Sequence, residues 1–295
     1  MNRAVSDGWR PPDLAGKVCV VTGSSRGVGK GIALVLGEAG ATVYVTGRTR
    51  RGRPAAGPVP GPGSVDETAE QITARGGRGI PSPTDHTHDG QVEALFTRVY
   101  EEQGRLDLLV ANAWGGYEGM QGEELVAPFW EQPLRRWDVM FGAGLRAQFS
   151  SARLAAPLMI EQGSGLIVCT GGFDDPSHYL GSVPYDVVKT ATGRLVTTMA
   201  HELRPHGVAA AGVYPGFTRT EAVVEAFAAE GREPPPETHS PEFVGRAVAC
   251  LLADPELMEL SGSGVQAATL AQRYGFRDTD GREIAHFVLP EEYRL

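Results

Sequence analysis

The sequence predicts an α/β fold, in which one doubly wound parallel sheet carries helices on both faces. Short apolar runs alternate with longer amphipathic stretches along the chain, the order expected of strand-helix-strand units. The apolar runs lack the polar alternation of strands with one wet face, so the sheet should be parallel and covered on both sides. A glycine-rich turn at residues 22–30 joins the first apolar run to the first helical stretch.

Each predicted element rests on a local pattern. The first helix follows the glycine turn, and Ser64 with Glu67 forms a capping box that begins the next helix after a Pro-, Gly- and Arg-rich loop at 48–63. Helical periodicity then follows Asp89, and again throughout residues 133–161. The predicted strands are 17–22, 42–46, 106–111, 166–170, 208–213 and 265–268. The predicted helices are 27–39, one from 65, one from 89, 133–161, 183–203 and one that ends at 252.

We expect one domain over residues 16–270, because no shift in composition divides the chain. Residues 1–15 are predicted to be a polar N-terminal tail. Residues 271–295 form a C-terminal extension that is expected to pack on the domain or on a neighbouring subunit. Its apolar side chains carry that prediction: Tyr274, Phe276, Ile284, Phe287, Val288 and Leu289.

Composition excludes several classes of function. The 295-residue chain is 41% hydrophobic and has a net charge of −9, which argues against a nucleic-acid surface because such a surface needs clustered positive charge. No apolar run reaches membrane-spanning length, and the first residues lack the apolar core of a signal peptide. We therefore expect a cytoplasmic protein with no membrane or nucleic-acid partner.

The side chains that commonly bind metals are scattered. Cys19, Cys169 and Cys250 are far apart and the first two lie in apolar runs, so we expect buried, reduced thiols. His86 and His88 have a ligand-like spacing, but no ligand cluster accompanies them and a solvated loop is the favoured interpretation. We predict no metal site.

The glycine turn predicts a phosphate-binding site. Gly23, Gly27 and Gly29 leave no side chain where the backbone turns from strand to helix. A pyrophosphate can then bind the free N–H groups and the positive dipole end of the helix. Ser25 and Val28 complete the turn and are included in the predicted cofactor site.

A second motif, Tyr185 and Lys189, lies at the start of the predicted helix 183–203. The two residues are four apart and therefore share one helical face. A free tyrosine has a pKa of about 10, and a lysine cation one turn away would lower it. Tyr185 could then exchange a proton with a substrate oxygen. Such a pair alone is common on protein surfaces; together with the upstream dinucleotide turn it indicates an active site.

These motifs resemble the short-chain dehydrogenase/reductase family, whose fold is a Rossmann fold, over about residues 16–270. Thr22, Gly23, Gly27 and Gly29 are similar to its TGxxxGxG turn, and Tyr185 with Lys189 to its YxxxK pair. Further stretches, from residues 41–48 to the extension, resemble one branch of the family and carry the resemblance over nearly the whole chain. The resemblance implies that cofactor contacts also come from Asp85, Asn112, Pro215, Gly216 and Thr218.

The resemblance implies hydride transfer between a nicotinamide and a carbonyl or alcohol carbon, with Tyr185 as acid/base and Lys189 also on the ribose. It implies a homodimer or homotetramer as well. NADP(H) is the predicted cofactor, because the segment 41–65 has no Asp or Glu that would bind a free 2′-hydroxyl. Arg26 and Arg48 are placed to pair with a 2′-phosphate instead.

The chain departs from the family at three positions. Gly172 stands where the family has a serine that holds the substrate oxygen, Gly144 where it has an asparagine that binds a relay water, and Trp114 replaces a glycine. Losing one oxyanion donor can cost about 10²–10³ in rate. Thr170 and residues of the following loop are possible substitutes. A low-polarity substrate pocket is expected from Trp114, Phe173, His178, Tyr179 and Phe217.

The sequence thus predicts an NADP(H)-dependent oxidoreductase with an atypical catalytic set, acting on a small and apolar carbonyl or alcohol. The alternative is a non-catalytic NADP-binding sensor or assembly protein, which the glycines at 144 and 172 favour. The retained Tyr185 and Lys189 favour the enzyme.

Overall fold

The computed structural model describes residues 8–53, 62–118, 127–171, 177–289, 291 and 295. The strands found in these residues are β1 (Val18–Val21), β2 (Thr42–Gly47), β3 (Arg78–Pro83), β4 (Leu108–Ala111), β5 (Gly165–Thr170), β6 (Val208–Tyr214) and β7 (Gly264–Gln266). They pair in the order β3-β2-β1-β4-β5-β6-β7, and every pairing is parallel. The predicted doubly wound parallel sheet is confirmed.

Helices cover both faces of this sheet. They are α1 (Gly27–Glu38), α2 (Val65–Ala74), α3 (Asp89–Gln103), α4 (Leu134–Met140), α5 (Ala147–Gln162), α6 (Val183–Leu203), α7 (Glu221–Ala229), α8 (Pro241–Ala253), α9 (Leu257–Leu260) and α10 (Ala267–Tyr274). A π-helical turn (Phe141–Arg146) joins α4 to α5, and a 3-10 turn (Arg204–His206) follows α6. The helix α2 begins as predicted, because the Ser64 hydroxyl accepts a hydrogen bond from the Glu67 N–H.

Two apolar layers hold the helices on the sheet. One layer packs α1, α2, α8 and α10 against one face, with Ile32, Leu36 and Phe243 fully buried. The other packs α3, α5 and α6 against the opposite face, with Val99 and Met159 fully buried. Burial on both faces explains why the strands show no polar alternation.

All three cysteines are free thiols, of which Cys19 and Cys169 lie in strands of the sheet and Cys250 lies in α8. Cys19 and Cys169 are buried, and burial raises the pKa of each thiol. Cys250 is half-buried in α8, and burial raises its pKa to about 11. The thiols are therefore protonated near neutral pH, in agreement with packing roles.

Several elements differ from the sequence prediction. Strand β3 was not predicted, because its segment contains Gly79, Pro81 and Pro83, yet an edge strand tolerates proline. The last strand is shorter than predicted, since α10 already begins at Ala267. The long helical region 133–161 is interrupted by the π-helical turn, which contains Gly142 and Gly144.

The described part of the N-terminal segment is not a polar tail. Leu14 is fully buried and its N–H donates to the carbonyl of Ala39. The indole of Trp9 packs edge-on against Phe276 of the C-terminal extension, with ring centroids 5.6 Å apart. In the described part of the chain no helix is both long and apolar enough to cross a membrane.

The C-terminal extension packs on its own chain along the described residues. The side-chain amide of Gln266 donates to the carbonyl of Phe287 at 3.0 Å and accepts from its N–H at 2.8 Å. Asp278 is fully buried and accepts a hydrogen bond from the backbone N–H of Ser240. Leu295 donates through its N–H to the carbonyl of Ser177, in the loop between β5 and α6.

Candidate active site

The site lies where the strand order reverses, between β1 and β4. Ligands of open α/β sheets bind at this switch point, outside the carboxyl ends of the strands. A cavity of about 390 Å³ opens there. Its described lining includes ten of the predicted site residues: Gly23, Ser25, Arg26, Gly27, Val28, Gly29, Arg48, Asp85, Asn112 and Trp114.

The glycine turn allows the residues that follow β4 to approach it closely. Gly23 and Gly27 have φ values of +64° and +58°, in the left-handed region that favours glycine. A β-carbon on Gly29 would lie 2.4 Å from both the Asn112 side-chain nitrogen and the carbonyl oxygen of Gly23. The turn therefore keeps this shape only with glycine at these positions.

The side chain of Asn112 links this turn to the neighbouring strands by hydrogen bonds. Its Nδ2 donates to the carbonyls of Thr22 and Gly23 at 2.9 and 3.1 Å, and its Oδ1 accepts from the Thr170 hydroxyl at 3.3 Å. The Thr22 hydroxyl in turn accepts from the N–H groups of Asn112 and Ala113, each at 2.8 Å. Thr170, considered above as a substitute for the missing serine, is thus engaged with Asn112.

The N-terminus of α1 holds an anionic group supplied by the chain itself. The Gly27 N–H donates to a carboxylate oxygen of Glu221, the first residue of α7, at 2.8 Å. A phosphate group suits the same position, because the helix dipole and its free N–H groups favour any anion there. The residues present therefore fit the pyrophosphate of a dinucleotide.

Sequence reasoning missed the part of the cavity formed by Thr220, Glu221 and Ala222. Thr218 was expected to face the cofactor, but it is buried and pairs in an isolated bridge with His239, away from the cavity lining. Thr220 lines the cavity and caps α7 by accepting from the Val223 N–H. An N-cap pattern of threonine followed by glutamate could have identified it.

The other residues of that loop also lie outside the described lining of the cavity. The Pro215 carbonyl is 2.6 Å from Nε2 of His239. Gly216 adopts a φ of +79° beside Phe287 of the extension. Phe217 faces Phe227 of α7, with ring centroids 6.3 Å apart.

Both predicted arginines line the cavity, and each has a partner. Arg26 donates to the Thr49 hydroxyl at 3.0 Å. Arg48 forms a two-bond pair with the Glu118 carboxylate, in which the Nη1 contact measures 2.9 Å. Glu118 follows β4 and was not predicted, because it lies 70 residues from Arg48 in the chain and only the fold brings the two together. A carboxylate therefore does stand near the predicted phosphate position.

Asp85 lines the cavity at the end of β3, where its carboxylate accepts from the N–H and the hydroxyl of Thr87. These bonds outweigh burial and lower the pKa of Asp85. The neighbouring His86 is buried and only His88 is exposed, so the expected solvated loop is wrong for His86. Its Nε2 lies 2.7 Å from the Thr46 hydroxyl, and burial lowers its pKa to about 4.

Tyr185 and Lys189 lie on one face of α6, next to the aromatic side chains of the β4 loop. The Tyr185 ring meets Trp114 edge-on at 5.6 Å and stacks on Tyr117 at 6.4 Å. The ammonium of Lys189 lies 4.2 Å from the Trp114 ring centroid and 5.3 Å from that of Tyr185. Trp114 and Tyr117 thus connect this pair to the cavity, whose described lining does not include the pair itself.

The expected lowering of the Tyr185 pKa is wrong for this arrangement. Burial raises the pKa of Tyr185, and the neighbouring Tyr117 raises it further. Burial also lowers the pKa of Lys189 to about 8, so less of its charge is available above that pH. The sequence spacing located the pair correctly but could not reveal how dry its surroundings are.

The indole of Trp114 fills the space beside Gly144, the position at which the resemblance to the family leads us to expect an asparagine. A β-carbon on Gly144 would lie 2.7 Å from Cζ3 of the indole. A β-carbon on Gly116 would come still closer, at 2.2 Å from Cζ2. The tryptophan at position 114 and the glycine at position 144 both differ from the family, and they are complementary parts of one packing arrangement.

The remaining predicted substrate residues lie at or beyond the edge of the described region. Gly172 and Phe173 fall outside the described residues. His178 is half-buried, and its Nδ1 lies 2.9 Å from the Ser177 hydroxyl. Tyr179 is also half-buried.

Comparison with known proteins agrees with this geometry. The family model for short chain dehydrogenases matches residues 17–231. The chain is 39% identical over 285 residues to mouse Dehydrogenase/reductase SDR family member 1, covering 93% of this chain and 87% of the relative. The human protein of that name is 37% identical over 286 residues, with the same coverage.

A solved structure shares this fold over nearly the whole chain. A short chain dehydrogenase from Mycobacterium thermoresistibile superposes with a TM-score of 0.78 at 24% identity, covering 95% of this chain and 99% of the other. Members of the family are oxidoreductases that use NAD(H) or NADP(H) to interconvert alcohols and carbonyl compounds. From the matched motifs, the sheet and the identity over most of its length, this chain belongs to the short-chain dehydrogenase/reductase family.

Proposed function

We propose that the protein is an NADP(H)-dependent oxidoreductase that interconverts a small, apolar carbonyl compound and its alcohol. One observation carries the proposal: a single cavity contains an anion-binding helix N-terminus and two arginines, and its aromatic wall contacts the Tyr185–Lys189 pair. The first two features suit a phosphorylated dinucleotide, and the last suits proton transfer.

The glycine turn and α1 would hold the pyrophosphate, while Arg26 and Arg48 would bind the 2′-phosphate of the adenosine ribose. Asp85 lines the same cavity and would contact the adenine. Lys189 would bind the nicotinamide ribose. The bound nicotinamide supplies or accepts the hydride; every other requirement falls on side chains of this chain.

Tyr185 would carry the proton. In the reductive direction its phenol donates a proton to the substrate oxygen, and in the oxidative direction the phenolate takes one back. Its raised pKa keeps the phenol protonated near neutral pH, which suits the reductive direction. The Lys189 cation, still largely present below pH 8, stabilises the phenolate that forms.

The substrate would be apolar because aromatic rings surround the pair. Trp114 and Tyr117 contact Tyr185 directly. Tyr179 and Phe217 lie in the loops that follow β5 and β6, at the same end of the sheet.

The test measures binding and turnover separately. We expect NADPH to bind at least ten times more tightly than NADH by fluorescence titration, and Arg48→Ala to remove most of that difference. NADPH oxidation with a panel of apolar ketones and aldehydes should fall by about 10²–10⁴ in Tyr185→Phe, with NADPH affinity preserved. Undiminished turnover in that variant would reject the mechanism.

A second candidate, a non-catalytic NADP-binding protein, is favoured by the indole of Trp114, which fills the position of a family catalytic side chain. It predicts tight NADPH binding without turnover of any substrate in the panel. Turnover of one compound at an ordinary rate would exclude it.

We also propose that the protein forms a homodimer through the aromatic face that precedes and includes α4. Exposed apolar side chains concentrate there: Phe129 is 59% exposed, Trp130 71% and Leu134 84%. Light scattering should show a dimer that Trp130→Ser and Leu134→Ser together convert to monomer. The same double substitution should leave NADPH binding intact.

A further inference from the structure

Tyr117 forms a pair with the proposed proton donor, Tyr185. The two phenol rings stack with centroids 6.4 Å apart and planes 19° from parallel. Burial raises the pKa of Tyr185 and the neighbouring Tyr117 raises it further, so the two phenols interact electrostatically as well as through their rings. The two residues come from separate elements, the loop after β4 and the helix α6, so only the folded chain brings them together.

The indole of Trp114 fixes this pair in place. It meets Tyr117 edge-on at 6.0 Å and Tyr185 edge-on at 5.6 Å. The indole itself lies against the backbone of Gly116 and Gly144, where no side chain could fit beside it. Such edge-on contacts favour one relative orientation of the rings.

The two phenols differ in access to the cavity. Tyr117 is 44% exposed and lines the cavity, whereas Tyr185 is half-buried and is not part of the described lining. Burial raises the pKa of Tyr117, and the buried guanidinium of Arg136 on α4 acts against that rise. Tyr117 therefore has a route to water through the cavity, and Arg136 offsets part of the effect of burial on its ionisation.

Tyr185 must regain a proton after each reduction. In the family a water held by an asparagine would serve, but here that position is Gly144 and the indole fills the adjoining space. We propose that Tyr117 replaces this route, as a second catalytic tyrosine that carries protons between Tyr185 and solvent. The proposal rests on the proposed oxidoreductase function.

The proton balance is simple. The substrate carbon gains a hydride, and its oxygen takes the phenol proton of Tyr185. The Tyr185 phenolate then takes the proton of the Tyr117 hydroxyl, and the Tyr117 phenolate is reprotonated by water or by a buffer acid. One proton from solvent is consumed for each carbonyl reduced, and both tyrosines return to their initial state.

The kinetic test compares Tyr117→Phe, which keeps the ring but removes the hydroxyl, with Tyr100→Phe, an exposed position on α3. We expect kcat for carbonyl reduction to fall roughly 10- to 100-fold in Tyr117→Phe, with unchanged NADPH affinity and a larger solvent isotope effect. Added imidazole should restore part of the rate. Unchanged kcat in Tyr117→Phe, or a loss without rescue and without a change in isotope effect, overturns the relay.

A second measurement needs no turnover. In protein labelled with carbon-13 at the tyrosine Cζ, removal of the Tyr117 hydroxyl should lower the pKa of Tyr185, since that hydroxyl raises it. An unmoved Tyr185 titration would show that the two phenols are not coupled and overturns the relay. An inactive wild type overturns the proposed function, and the relay with it, whereas an active wild type with an unaffected Tyr117→Phe overturns the relay alone.

Discussion

The indole of Trp114 packs directly on the α-carbon of Gly144, so closely that a β-carbon on Gly144 would lie 2.7 Å from ring atom Cζ3. The same indole contacts Tyr185 and lies under the ammonium of Lys189. A single large side chain therefore supports the proposed catalytic pair and replaces the polar side chain that the family has at position 144.

Restoring the family's asparagine at position 144 alone should therefore destabilise the fold. We expect Gly144→Asn to lower the free energy of unfolding by about 1–3 kcal/mol, because it forces the asparagine into the indole. The double variant Trp114→Gly with Gly144→Asn should be less destabilised than the sum of the two single variants. Urea unfolding measures all three.

Gly142→Asn is the matched control for that experiment, since Gly142 lies in the same π-helical turn but a β-carbon added there would meet open space. It should change stability by less than about 1 kcal/mol. Equal losses at positions 142 and 144 would mean that the turn, and not the contact with Trp114, requires glycine.

Removing the negative charge of Glu221 should strengthen cofactor binding. Its carboxylate occupies the N-terminus of α1 through the Gly27 N–H, where a pyrophosphate would bind. Glu221→Gln keeps the size and the acceptor but removes a like charge, so NADPH should bind about 3- to 10-fold more tightly.

Fluorescence titration with NADPH provides the measurement, and Glu225→Gln on the same helix is the control because its side chain is exposed. The improvement should shrink at high salt. Weaker binding in Glu221→Gln would show instead that the carboxylate helps to position the dinucleotide.

The pair between Arg48 and Glu118 should set the strength of discrimination between the two nicotinamide cofactors. A 2′-phosphate has to take Arg48 from the carboxylate that now holds it. Glu118→Gln should therefore increase NADPH affinity about 3- to 10-fold and change NADH affinity little.

Glu70→Gln serves as the comparison here, because Glu70 pairs with Arg51 in an exposed setting. It should alter neither affinity. If Glu118→Gln strengthened NADH and NADPH binding equally, Glu118 would be acting on the pyrophosphate region and not on the ribose phosphate.

His86 should make the fold sensitive to acid. Its pKa is about 4 in the folded protein and about 6.5 when unfolded, so the unfolded chain binds the extra proton between these values. The stability that neutral His86 contributes is present above pH 6.5 and is lost as the pH falls towards 4. His86→Asn should cost about 1–3 kcal/mol at pH 7, and this cost should shrink as the pH is lowered.

Urea unfolding at pH 7, 5.5 and 4.5 tests this, with His88→Asn at a neighbouring exposed position as the control for the same substitution without burial. A cost for His86→Asn that stayed constant with pH would mean that the imidazole is not held neutral in the folded state.

Sequence reasoning identified most elements because their signals are local. The glycine turn, the Ser64 cap and the spacing of Tyr185 and Lys189 each lie within a few residues, and the structure places them on the elements predicted. Strand β3 escaped because its two prolines argue against a strand, and only its place at the sheet edge permits them.

The sequence by itself determined the fold class, the family and the glycine turn, since backbone conformation and hydrophobic period depend on neighbouring residues. Tertiary structure alone decided what surrounds that turn. It brought Glu221 to Gly27, Glu118 to Arg48, and Trp114 to Gly144. The physical reason is that burial, charge pairing and pKa depend on which distant side chains share a space, and chain order does not specify those neighbours.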